Sequence, residues 1–235
     1  MSIFELNNSN ITELTQEQKA QANQATEVYL CNCVELKTVP SLHKATHVSL
    51  MGCKSLETVP NFHKVDWVNL EHCVSLKSVP EFSRASHVFL GGCWGLESVP
   101  TFPEATYVNL WGCGRLKSVP AFPEATEVNL GGCVELETVP EFPLATQVYL
   151  GGCWGLKSVS AFSRATYVYL GNCVGLESVP AFPRATEVHL GGCVGLESVP
   201  TFPRANYVDL RGCSSLWCVL AFPEGTEVLL PDHLK

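Results

Sequence analysis

The sequence predicts an elongated solenoid of the α/β class, with a parallel β-sheet on one side, an extended return path on the other and a short helix at its N-terminal end. Three observations predict it. Cysteines stand at 33, 53, 73, 93, 113, 133, 153, 173, 193 and 213, twenty residues apart without an insertion. The flanking residues keep the same period, as A-T-x-V-x-L-x-G-C-x-x-L-x-S-V-P-x-F-P-x. The apolar residues, 46% of the chain, recur in fixed columns, so each unit has a face it cannot bury alone.

Each part of the unit has a physical reading. In the copy from Ala125 to Leu144, the stretch around Val128 and Leu130 alternates apolar and polar residues and predicts a short strand. Val128 and Leu130 face inward; Thr126, Glu127 and Asn129 face outward. Gly131 and Gly132 end the strand. The following V-P-x-F-P carries up to two prolines, so it is extended or polyproline-like rather than helical. Ten full units run from Ala25 to Glu224, and an eleventh begins at Gly225. Eleven parallel strands at ~4.8 Å spacing give a sheet about 48 Å long.

The string A-x-x-V-x-L-x-x-C-x-x-L resembles the leucine-rich repeat signature. The V-P-x-F-P tail is similar to the L-P-x-L-P of the short repeats in bacterial effectors of the YopM and IpaH type. Alanine stands at the first leucine position, valine and phenylalanine replace several leucines, and cysteine stands where those effectors have asparagine. The resemblance covers about 210 of the 235 residues. It implies a right-handed leucine-rich repeat solenoid with its strands on the concave face. It also implies a bacterial effector that acts inside a host cell, delivered by a specialised secretion system. The ligase domain of the IpaH type is absent, so ligase activity is not implied.

Several columns form ladders. The ten in-phase cysteines point the same way, which suits buried, reduced thiols in a reducing cytoplasm. Paired C-x-x-C sets are missing, so no zinc site is expected. Cys31 and Cys218 break phase. Charges alternate along Lys37, Glu57, Lys77, Glu97, Lys117, Glu137, Lys157 and Glu177, which predicts a register-fixing surface ladder. Beside it, Thr38, Thr58, Ser78, Ser98, Ser118, Thr138, Ser158, Ser178 and Ser198 predict a hydroxyl ladder. Phenylalanines from Phe62 to Phe222 predict a core spine.

Residues 1–24 fall outside the repeat and are assigned to an N-terminal cap, with 25–235 as the repeat domain. Asn10 through Glu13 look like a capping motif, which predicts a helix over 11–22 covering the first repeat. The C-terminal Val228–Lys235 offers no comparable cap, and an edge strand left open there could pair with a second copy.

Composition narrows function. A net charge of -8 argues against nucleic acid or an anionic membrane as the main partner. No apolar run is long enough to span a membrane, and the N-terminus lacks a secretory pattern. Asp66, Glu71 and His72 are the one carboxylate–imidazole grouping near the strand face, but no nucleophile motif or phosphate loop accompanies it. No catalytic residue, metal or cofactor is therefore expected. The outward strand positions carry Trp67, His87, Phe89, Tyr107 and Trp111 over repeats three to five. Tyr149, Tyr167, Tyr169, His189, Tyr207 and Arg211 form a second group over repeats seven to ten. Aromatics and arginine dominate interface hot spots, so these eleven residues are the candidate site for a protein partner, a host protein by the resemblance. Cross-strand packing of the same rings is the competing reading. Glycan binding on the aromatic face and a self-assembling module without a foreign partner are the alternative functions.

Overall fold

The computed structural model describes residues 2–235. The chain opens with β1 (Ile3–Glu5) and α1 (Gln16–Gln24). Nine strands follow at the twenty-residue period: β2 (Glu27–Tyr29), β3 (His47–Ser49), β4 (Trp67–Asn69), β5 (His87–Phe89), β6 (Tyr107–Asn109), β7 (Glu127–Asn129), β8 (Gln147–Tyr149), β9 (Tyr167–Tyr169) and β10 (Glu187–His189). They continue through β12 (Tyr207–Asp209) and β14 (Glu227–Leu229). On the back, β11 (Ser198–Val199) pairs with β13 (Cys218–Val219). The main sheet is parallel and twelve-stranded, in chain order from β1 to β14. The sequence pattern accounts for eleven of these strands. The twelfth, β1, was not expected: Phe4 turns inward beside Val28, so the first three-residue strand extends the sheet before the repeat begins.

From β2 onward each strand is paired at an offset of twenty, which places the central valines Val28, Val48, Val68 and their successors side by side. The strands end in the same way in several repeats. Asn69, Asn109, Asn129 and Asp209 each accept, through Oδ1, the N–H two residues on, at 2.9–3.0 Å. The chain then needs a left-handed residue. Gly52, Gly92, Gly112, Gly132, Gly152, Gly192 and Gly212 supply it with φ from 70° to 78°, and Asn32, His72 and Asn172 supply it elsewhere. A β-carbon is strained there, so glycine and asparagine dominate the column.

Behind the sheet the core is built of columns. The ten ladder cysteines are fully buried free thiols. Each donates from Sγ to the carbonyl of the residue leaving the neighbouring strand, from Cys33 to Leu6 O through Cys213 to Leu190 O, at 3.0–3.2 Å. The thiol thus satisfies a carbonyl that the sheet leaves over while adding apolar volume. The phenylalanine spine is present: rings from Phe62 to Phe222 stack with centroids 5.6–6.3 Å apart and planes within 18°. Leu42 takes the place of the first ring. The return path between cysteine and next strand contains no helix.

Two expected ladders are corrected. Among the described residues, no two members of the Lys37–Glu177 column form an ion pair; Glu97 reaches Arg115 instead, at 4.0 Å. These side chains are exposed, and water competes well for long charged groups whose ordering costs entropy. The hydroxyl ladder lies in another column. Thr46, Ser86, Thr106, Thr126, Thr146, Thr166 and Thr186 donate to the backbone carbonyl twenty residues earlier, at 3.1–3.2 Å. They stand just before the strands, where that carbonyl is in reach; the Thr38–Ser198 column faces solvent.

The helix also starts later than the sequence suggests. Its cap is Thr15, whose Oγ1 accepts from Gln18 N while Gln18 Oε1 accepts from Thr15 N. Both ends of this capping box close, whereas residues 12 and 13 form a bend ahead of the buried Leu14. At the other end β14 closes the sheet with no strand beyond it. A turn of 3-10 helix, Asp232–Leu234, follows, and His233 Nε2 lies 2.6 Å from Leu216 O. Trp217 and Leu220 remain exposed there.

Burial is the main force raising the thiol pKa values, to about 12 at Cys53, Cys93, Cys133 and Cys173 and about 11 at Cys213. A thiol reagent at neutral pH should therefore modify half-exposed Cys31 and Cys218 promptly, and the other ten only on unfolding. Because the folded pKa lies above the unfolded value, the ladder's stabilisation is whole below about pH 8.5 and is lost as pH climbs toward 12. Denaturation midpoints should accordingly fall steadily over that window, and a variant with four ladder cysteines changed to alanine should lose less over it.

Candidate recognition site

The outward face of the sheet offers two positions per strand. Period-two alternation sends the central valine into the core and its neighbours out. The first outward position carries Trp67, His87, Tyr107, Tyr167 and Tyr207; the second carries Phe89, Tyr149, Tyr169 and His189. Neighbouring strands bring these into two ring clusters.

In the first cluster Phe89 lies at the centre. Its ring centroid is 5.4 Å from Trp67, 6.4 Å from His87 and 5.0 Å from Tyr107, and His87 stacks on Tyr107 at 6.1 Å. In the second, His189 is surrounded by Tyr167 at 5.1 Å, Tyr169 at 5.6 Å and Tyr207 at 5.1 Å, and Tyr149 meets Tyr167 at 5.3 Å. Glu127, Asn129 and Gln147 separate the two. Most of these rings are half-buried, largely against one another. Burial is the leading cause that pushes the phenols of Tyr107, Tyr149 and Tyr167 above their ordinary value.

Nine of the eleven candidate residues thus fall on the strand face. Trp111 and Arg211 do not: they stand just past the strands, at the sheet's rim. Trp111 is 53% exposed. Arg211 folds back on Asp209, with Nε and Nη2 at 3.0 and 2.8 Å from its two carboxylate oxygens. That contact holds the Asp209 carboxyl below the usual carboxylate range and leaves the guanidinium already engaged.

Where a glycine precedes the left-handed turn, as at Gly91, Gly131 and Gly151, it has a role that its strand-breaking position does not reveal. A β-carbon on Gly151 would come within 2.2 Å of the Tyr169 ring, and one on Gly131 within 3.2 Å of Trp111 Cδ1. Glu71 similarly lies over Gly91 and accepts from Asn69 and Asn109. These glycines are seats whose open space a neighbour's large side chain occupies. The signal was available in the sequence: the bulky residues at 71, 111 and 169 stand beside them.

No hydrogen bond joins Asp66, Glu71 and His72, and Trp67 stands between His47 and His87. Among the described residues no three of His, Cys, Asp and Glu gather as a metal site. Nor, among the described residues, is any helix long and apolar enough to cross a membrane.

The whole chain superimposes on the leucine-rich repeat domain of the type III effector XopL, with TM-score 0.51 and 15% identity, covering 99% of this chain and 77% of that one. This is a leucine-rich repeat fold. A leucine-rich repeat protein from Bacteroides ovatus matches with TM-score 0.49 and 16% identity over 92% of this chain and 73% of its own. A leucine rich cell surface protein from Faecalibacterium prausnitzii matches with TM-score 0.43 and 14% identity over 99% and 79%. The XopL domain carries the fold assignment. No protein-family model and no curated protein sequence matches the chain.

Position in the ring clusters sets what each aromatic contributes to this leucine-rich repeat sheet. Phe89→Ala, which empties the centre of the first cluster, should cost about 1–3 kcal/mol in chemical denaturation. Trp111→Ala, at the rim, should change stability by no more than about 0.5 kcal/mol. Equal losses would mean that the rim tryptophan belongs to the folded framework.

Proposed function

We propose that the chain is a non-catalytic recognition module that binds a partner protein across the outward face of its sheet. The observation that carries this reading is the pair of aromatic clusters centred on Phe89 and His189, separated by the polar side chains of Asn109, Glu127, Asn129 and Gln147. Rings locked against one another lose little freedom on binding, which is what a hot spot needs. The polar stretch at Glu127, Asn129 and Gln147 divides the face into two anchors, suited to a partner that spans several repeats. The proposal extends to a role as a bacterial effector with a host protein as partner, on the resemblance of the short repeats; the XopL domain, from a type III effector, shares the fold.

The test is affinity capture from eukaryotic lysate with the wild type beside a triple variant, Trp67→Ala, Tyr107→Ala and Tyr169→Ala, both shown to be folded by circular dichroism. A protein retained by the wild type should be purified and its affinity measured; the variant should bind at least about tenfold more weakly. Retention of the same proteins by both would assign the rings to packing alone.

A further inference from the structure

At the rim where the strands exit lies an open groove of about 960 Å³ across repeats two to six. It forms where three columns of the repeat change together. Position 111 carries Trp where Gly91, Gly131, Gly151, Gly171 and Gly191 stand in other repeats. Position 114 carries Gly where Val74, Trp94, Val134 and Trp154 stand. Position 115 carries Arg where Gly or a small or acidic residue stands. The missing side chain at Gly114 opens a notch between Trp94 and Val134, and Trp111 and Arg115 flank it.

The walls are of two kinds. Trp94 is 67% exposed and Trp111 53%, both large apolar surfaces left to water. Trp111 is held in place: its backbone N–H donates to Asn109 Oδ1 at 3.0 Å and its indole edge lies over Gly131 and Gly132. The remaining walls are polar. Lys77 and Arg115 balance Glu57 and Glu135, with the hydroxyls of Thr58, Ser75 and Ser78 among them. Among the described residues none of these side chains is hydrogen-bonded within the protein, and Arg115 only approaches Glu97 at 4.0 Å.

We infer that this groove binds a neutral oligosaccharide. Exposed indole faces accept the C–H face of a pyranose ring, and uncommitted donors and acceptors in equal measure suit a ring edged with hydroxyls. The balanced charge gives no preference for an anion or a cation. An extended peptide fits less well. The main-chain N–H groups of Gly92, Gly112 and Gly132 in and beside the floor already bond Trp111 O, Gly131 O and Gly151 O, at 2.6–2.8 Å, so no free ladder is offered to it. The site is separate from the strand face and does not depend on the proposed protein partner.

The test is titration of the full chain with cellohexaose, maltohexaose and acetylated chitohexaose, followed through the five tryptophan indole N–H signals in nitrogen-15 spectra. At least one sugar should shift the Trp94 and Trp111 signals saturably and leave Trp217 unmoved. Trp111→Ala should weaken binding at least about tenfold. Gly114→Val should do the same by refilling the notch. It should also fold, because a β-carbon there meets only Val134 Cγ2, at 3.7 Å, and the backbone is not left-handed. Trp217→Ala should bind as the wild type does. The proposal is overturned if none of the sugars shifts Trp94 and Trp111. It is also overturned if either Trp111→Ala or Gly114→Val binds undiminished, or if binding is lost instead in the strand-face variant Tyr149→Ala.

Discussion

Each unit must hand its neighbour the same face it received. That constraint, an unbroken offset of twenty in the parallel ladder, is what the rest of the structure depends on. It lines up the valines, stacks the phenylalanines and brings every ladder thiol within reach of the carbonyl that leaves the neighbouring strand. One inserted residue would throw all of these out of register at once. The three-residue strands are too short to be stable singly; their stability comes from neighbours on both sides.

The inward columns are therefore nearly invariant within the chain, while the outward ones are free to differ. This division explains why aromatic residues accumulate at strand positions one and three without disturbing the core. It also explains the glycine seats. The column before the left-handed turn is not held to glycine by its backbone, so it varies, and where it is glycine a neighbour such as Trp111 or Tyr169 occupies the space left. Two surfaces follow from one repeat: a ring-studded strand face, and a rim whose character changes at repeat five.

Much of the architecture was legible in the sequence because period, strand alternation and proline placement agree. What was not legible came from competing local chemistry. Asn10 and Glu13 imitate a capping box, but Thr15 and Gln18 close one on both sides, and the helix starts there. Strand β1 has no repeat around it to announce it. Alternating charges suggested ion pairs, yet exposed lysine and glutamate stay solvated. At the site, residue types were readable but their partners were not. Arg211 is engaged by Asp209, and Trp94 and Trp154 are among the most exposed aromatics although neither lies on the strand face.

Native-state hydrogen exchange, resolved by residue, tests most directly the claim that one continuous core is propagated between like neighbours. Amides at the strand exits Leu90, Leu110, Leu130 and Leu150, with neighbours on both sides, should be the most protected. Protection should fall toward β14, which has a neighbour on one side only. Protection that is flat along the chain, or weakest in the central repeats, would contradict the account.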